Sequence, residues 1–397
     1  MRFSSFVERI GGPSSRAWDL HYEALAAKRR GEDVIVLSVG DPAFETPAAA
    51  RAAASRAIEA GDTHYTEIAG RLALRTLIAA DHSLRSGQAV TADNVIVLAG
   101  TQNALYCAAA CLLGPRDEVI VPEPMYLTYR AALQASGATI VTVPCPAERQ
   151  FHIDLKALAA AVTARTRAIF FATPNNPTGA AATLEELEAI AALAIRHDLW
   201  VVSDEVYGRL CFEATHLSIG ALPGMAERTV TASSVSKSHA MTGWRIGWMI
   251  APEPLIGHVK NLVLCMLYGL AGFAQEAACE ALRSGDAEVD RMRTVYRRRR
   301  DEVVAWLSSV PGLHCVRPEA GMFILVDVRG TGLSAAEFAW QLYAATHVAV
   351  LDAETFGPSV AGHVRISVTV DDHELELACQ RIGQFIAGLA ARESGPA

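Results

Sequence analysis

Short β-branched runs alternate with helix-period patterns through the middle of the chain. "NVIVLAG" reads as a strand running into a glycine, and "TQNALYCAAACLL" as the helix that follows. "DEVIVPEP" and "ATIVTVP" are two further strands, and "RAIFFATPNNPTG" is a strand ending in a Pro/Asn/Gly turn. "TLEELEAIAALAIRH" places Leu and Ile at helical spacing, with Thr183 and Glu186 forming a capping box. "LWVVSDE" and "RTVTASS" complete the series of strands. Strands alternating with helices in this way predict an α/β body with a mostly parallel central sheet.

The pattern then changes. "VYRRRRDEVVAWLSSV" is helical, "GMFILVDV" and "GHVRISVTV" are strands, and "DDHELELACQRIGQFIAGLAA" is a closing amphipathic helix. This predicts a large domain over residues 31–285 and a smaller α+β domain over 286–397, completed by an N-terminal segment, 1–30. The arginine run 297–300 reads as the solvated face of its helix. No internal repeat or low-complexity segment interrupts the pattern.

Composition narrows the class. At 397 residues, 51% hydrophobic and 20% charged, the chain is long enough for two cores and has the balance of a globular protein. A net charge of −8 offers no electrostatic footprint for nucleic acid. The longest apolar segment, Leu262 to Ala274, is too short to span a bilayer and contains Gly269 and Gly272. The N-terminus lacks the apolar core of a secretory signal. The eight cysteines are scattered, and Cys107 and Cys111 have apolar neighbours, so core thiols are expected there and no metal. A cytoplasmic protein follows.

In doubly wound sheets, ligands bind beyond the carboxyl ends of the strands. Gly100-Thr101, Asn175-Asn176, Asp204 and Ser234 all fall at such ends. A strand, a glycine and then a helix opening at Thr101 make an anion site. Neither G-x-G-x-x-G nor G-x-x-x-x-G-K-[ST] occurs, which disfavours a nicotinamide dehydrogenase or a P-loop enzyme. Ser234 and Arg245 could meet the same anion as Thr101, and one phosphate would satisfy all three. Lys237 sits between Ser236 and Ser238 in a chain whose 35 basic residues are dominated by arginine. Lysine forms Schiff bases with aldehydes, and burial makes its amine a base. A phosphate-bearing aldehyde held by lysine is pyridoxal 5′-phosphate, for which Asp204 could keep the pyridine nitrogen protonated.

"SVSKSHAMTGWRIG" resembles the lysine signature of the class I/II aminotransferases, of the fold type I pyridoxal-phosphate enzymes. The resemblance runs in order through "LSVGDPAFETP", "THYTEIAGRLALR", "AGTQNALY", "VPEPMYLTY", "TPNNPTGA", "SDEVY", the lysine segment and "GHVRIS". It implies that Lys237 bonds the cofactor and shuttles the proton, and that Asp204 pairs with the ring nitrogen. It further implies that Tyr207 and Asn176 meet the phenolic oxygen and that Tyr126 stacks on the ring. Ser234, Arg245 and the amides of Thr101 and Gln102 would hold the phosphate. Tyr65 is similar to the tyrosine that reaches the neighbouring subunit's phosphate, which implies a homodimer with shared active sites. Arg365 would clamp the substrate carboxylate, with Asn176 and the backbone of Gly40 close by. The implied partners are an amino acid and a 2-oxo acid, exchanged by ping-pong kinetics.

Two positions depart from the family pattern. Ala43 stands where an acid is common in "G-x-P-D-F", and Gln102 where a basic residue or glycine is common. "LSVGDP", "SKSHAMTGW" and "LCMLYG" are most similar to the arginine–pyruvate branch, so L-arginine and pyruvate are the expected pair. Asp41, Glu45 and Glu67 are candidate partners for a guanidinium substrate. Tyr268 and Phe44 are candidate walls for an aromatic or aliphatic amino acid, the alternative. A β-lyase or an aminocyclopropane-type synthase would use the same frame. A regulator built on such a domain would need a DNA-binding module before "VIVLSVG", where only some 30 residues stand.

Overall fold

The computed structural model describes residues 2–11 and 18–393. Residues 12–17, part of the N-terminal segment expected to pack on the smaller domain, lie outside the described residues, as do Met1 and 394–397. Among the described residues thirteen strands follow in chain order: β1 (Ile35–Val36), β2 (Val95–Leu98), β3 (Glu118–Glu123), β4 (Thr139–Pro144), β5 (Thr166–Ala172), β6 (Trp200–Asp204) and β7 (Thr229–Ser234). They continue with β8 (Gly247–Ile250), β9 (His314–Cys315), β10 (Phe323–Asp327), β11 (Val348–Ala349), β12 (Leu351–Asp352) and β13 (His363–Ser367).

The large sheet has seven strands in the order β2-β8-β7-β6-β5-β3-β4. It is parallel except at β8, which runs antiparallel to both β2 and β7. β2, β3 and β8 are buried on every position because both faces are covered there, whereas β4 at the sheet edge is largely uncovered. Alternate residues enter different cores: Ile96, Val119, Val121, Phe170 and Val202 pack on one side. Ile120, Ile169, Phe171 and Val201 pack on the other. This is an α/β fold, with helices such as Thr101–Leu112 and Leu184–His197 lying over the sheet.

The helix Leu184–His197 begins with the expected capping box, Thr183 and Glu186 each satisfying the other's backbone N–H. The later strands form an antiparallel sheet, β12-β13-β10-β9, packed on Asp286–Ser308 and the closing helix. β1 pairs in parallel with β11, and helix Asp19–Arg29 lays Ala24 and Ala27 against them.

β8 lies in the apolar run 246–251, which was not expected as a strand. Its pairing with β7 turns residues 235–246 into an excursion at the edge of the strand ends. That excursion carries Lys237 and Arg245. No helix among the described residues is long and apolar enough to cross a membrane.

The arginine run departs from its expected solvated face. Arg297 and Arg298 face water, but Arg299 and Arg300 are buried. Arg300 is 1% exposed; its two terminal nitrogens donate to Glu213 at 2.8 and 2.7 Å, and its carbon lies 4.5 Å over the Phe212 ring. The helix turns by about 100° per residue, so a run of four cannot share one face.

Candidate active site

A cavity of about 210 Å³ opens beyond the carboxyl ends of β2, β5, β6 and β7. Gly40, Thr101, Gln102, Tyr126, Asn176, Asp204, Tyr207, Ser234, Lys237, Arg245 and Arg365 all line it. Tyr65 does not. Its side chain is 86% exposed, with its ring 4.7 Å from that of Tyr268.

Lys237 enters from the excursion after β7. Its Nζ donates to the Gly40 carbonyl at 2.6 Å, and burial first, with Arg365 and Arg245 nearby, brings its pKa down to about 8. Asp41 opposes that shift. Gly40 has to be glycine: a Cβ there would fall 2.2 Å from the Phe323 ring.

Asp204 ends β6 fully enclosed, and burial raises its carboxyl to about 6. Tyr129 donates its hydroxyl to Oδ2 at 2.6 Å, and the Val206 amide donates to Oδ1 at 3.2 Å. Tyr129 was not anticipated. It stands one helical turn after Tyr126 in "YLTY", and that i, i+3 spacing was the available signal. The Tyr126 ring meets Tyr129 edge-on at 5.8 Å. Burial raises the hydroxyl pKa of Tyr126, Tyr129 and Tyr207 alike, keeping all three protonated.

Arg365 comes from β13, 2% exposed. Its terminal nitrogens donate to Asn176 Oδ1 at 2.9 Å and the Ser38 carbonyl at 2.7 Å, and its Nε has no partner. Burial lowers its pKa to about 10, so it stays charged at neutral pH. Phe323 lies beneath it, 4.0 Å from guanidinium carbon to ring centre. A buried guanidinium contacting only neutral acceptors is built to receive an anion.

The other end of the cavity has the same character. Helix Thr101–Leu112 points its N-terminus inward, and the buried Thr101 Oγ1 has no partner. Arg245 donates to the carbonyls of Thr242 and Ala99 at 2.6 and 3.2 Å. Gly100 is left-handed (φ 82), and a Cβ would fall 2.5 Å from Arg245 Nη2. Gln102 accepts from Thr128 at 2.5 Å through its side chain, leaving its backbone N–H at the helix start. Among the described residues, Lys237, Arg245 and Arg365 therefore face a single lining carboxylate, Asp204. Such a surplus calls for a multiply charged anion and a carboxylate together. Pyridoxal phosphate with an amino acid fits these donors: an orphaned hydroxyl and helix end for phosphate, a depressed lysine for the aldehyde, and a buried Asp for the ring.

Of the candidate side-chain partners, Asp41 accepts from the pocket residue Thr242 at 2.7 Å. Glu45 is paired with Arg51, Glu67 is exposed, and Phe44 packs on Tyr296.

Residues 32–382 match the family model for aminotransferase class I and II. The chain belongs to that family, whose members use pyridoxal 5′-phosphate. It is 51% identical over 389 residues to an arginine–pyruvate transaminase, AruH, of Pseudomonas aeruginosa, covering 98% of this chain and 99% of that protein. An aspartate/prephenate aminotransferase of Thermus thermophilus is 35% identical over 92% of this chain and 94% of its own length. Among solved structures, Thermus thermophilus aspartate aminotransferase with maleate superposes with a TM-score of 0.92 at 34% identity, over 97% of this chain and all of that one. The protein is a pyridoxal-phosphate-dependent aminotransferase of fold type I, acting on amino acids and 2-oxo acids.

Proposed function

We propose that this aminotransferase moves the α-amino group of L-arginine to pyruvate. The observation that carries an α-carboxylate substrate is the buried guanidinium of Arg365, bonded only to neutral acceptors and with its Nε unpartnered, in the same cavity as Lys237. The relative named for arginine and pyruvate, alike over almost the whole chain, supports the donor and acceptor.

When bound, pyridoxal phosphate supplies an aldehyde that condenses with amines and a ring that accepts the electron pair left at the substrate Cα. In this reading Arg365 grips the α-carboxylate of amino acid and 2-oxo acid in turn, so one clamp serves both half-reactions of a ping-pong cycle. Lys237 Nζ takes the Cα proton; a pKa near 8 leaves part of it neutral at physiological pH. Asp204 holds a proton at the ring nitrogen, with Tyr129 fixing its orientation. Asn176 turns its oxygen to Arg365, which leaves its amide to donate beside Tyr207 toward the phenolic oxygen. Tyr126 covers the ring. Ser234, Arg245 and the first amides of helix Thr101–Leu112 hold the phosphate.

The working unit in this proposal is a cytoplasmic homodimer with shared sites. Each protomer has a large domain over 31–285 and a smaller one over 286–397 joined by residues 1–30.

The test is a single-turnover absorbance experiment with each amino acid in turn and no oxo acid. L-Arginine should convert the cofactor fastest, and pyruvate should restore it. A tenfold preference for aromatic or aliphatic amino acids, about 1.4 kcal/mol of transition-state binding, would remove the arginine assignment.

A further inference from the structure

A cationic side chain entering this cavity meets a difficulty. Among the described residues the lining holds Lys237, Arg245 and Arg365 and one carboxylate, Asp204, which is engaged by Tyr129, while Asp41 behind the lining accepts from Thr242. Aromatic faces within the lining are a further kind of partner for a guanidinium. The cavity already uses that solution once, since Arg365 lies 4.0 Å over Phe323.

Tyr126, Tyr129, Tyr207 and Phe323 have other work, and the fifth ring lining the cavity among the described residues is Trp18. Its place is at the carboxylate end. The Trp18 ring meets His21 edge-on at 5.4 Å, His21 Nδ1 bonds Ser38 Oγ at 2.9 Å, and the Ser38 carbonyl accepts from Arg365 at 2.7 Å. Burial and the Arg365 charge lower the pKa of His21, so it adds no further positive charge beside the indole. Indole offers the best cation-binding face among side chains.

Resting on the arginine reading above, we propose that Trp18 is the specificity-determining wall of this site. Its indole face receives the guanidinium of the donor amino acid, leaving the α-carboxylate to Arg365.

The test uses the cofactor-loaded enzyme and two competitive inhibitors, 5-guanidinopentanoate and 5-ureidopentanoate. These match in shape and differ in charge. The wild type should favour the guanidino compound. Trp18→Leu should weaken that compound about tenfold, about 1.4 kcal/mol, and change the ureido compound less than twofold. Trp18→Phe should fall between, and L-arginine against L-citrulline should follow the same order in half-reaction rates. If Trp18→Leu keeps the preference, or weakens both inhibitors equally, Trp18 is a plain wall and this inference fails alone. If the wild type binds both alike and does not turn over arginine, the arginine reading fails and takes this inference with it.

Discussion

At the scale of single residues, the site is a set of groups held away from their ordinary ionisation by burial. Asp204 is the sharpest case. Its carboxyl lies above the ordinary 3.8, at about 6, mainly through burial. A carboxyl raised in the folded state stabilises the cofactor-free protein fully below about pH 4 and loses that contribution as pH rises through about 6. Two units correspond to about 3 kcal/mol. Asp204→Asn should therefore raise the melting temperature of the cofactor-free protein at pH 7–8 and have little effect near pH 4. The same variant should lose activity by about 10²–10³-fold. Thermal scans at both pH values check this, and unchanged stability at pH 8 would contradict it. The carboxylate was legible in "SDEVY" because it ends a strand. Its partner Tyr129 was not, because a helical tyrosine in an apolar run reads equally well as core.

At the scale of elements, the long helix Asp286–Ser308 ties the smaller sheet to the segment around Glu213 through Arg300. Arg300 also donates to Asp301 and to the Pro318 carbonyl, so its donors are satisfied in place. Truncating it removes a buried side chain and leaves Glu213 with the exposed Arg297 and Arg317. Arg300→Ala should lower stability by about 2–4 kcal/mol, read as the urea midpoint of the cofactor-free protein. Arg300→Met should recover part of the loss by restoring volume. A shift below 0.5 kcal/mol for Arg300→Ala would mean that the arginine is solvated after all. Strands and the capping box were readable because apolar period and cap chemistry are local signals. β8 and the buried half of the arginine run were not, since their burial depends on partners distant in sequence: Val95–Leu98 for β8, and Glu213 and Asp372 for the arginines.

At the scale of the whole molecule, one group of exposed apolar side chains lies on two touching segments. Tyr65 and Leu72 lie on one, and Leu264, Met266 and Tyr268 on the other, joined where Thr66 donates to the Leu270 carbonyl. Exposed apolar surface of this kind marks an interface, and a second copy of the chain is the proposed occupant. Tyr65 would then serve the partner's phosphate. Mixing inactive Lys237→Ala protein with weakly active Tyr65→Ala protein should regenerate sites carrying neither change, so activity should rise well above the sum of the separate samples. No gain after verified subunit exchange would mean that each site is complete within one chain.

The most direct measurement concerns the lysine itself. The chain has four lysines: Lys28, Lys156, Lys237 and Lys260. Borohydride reduction of the loaded enzyme fixes a lysine-bound cofactor, and peptide mass mapping then finds it. The expected result is one modified peptide, containing Lys237, with the modification absent in Lys237→Ala. Modification at another lysine, or at none, would contradict the assignment on which the reading of this site rests.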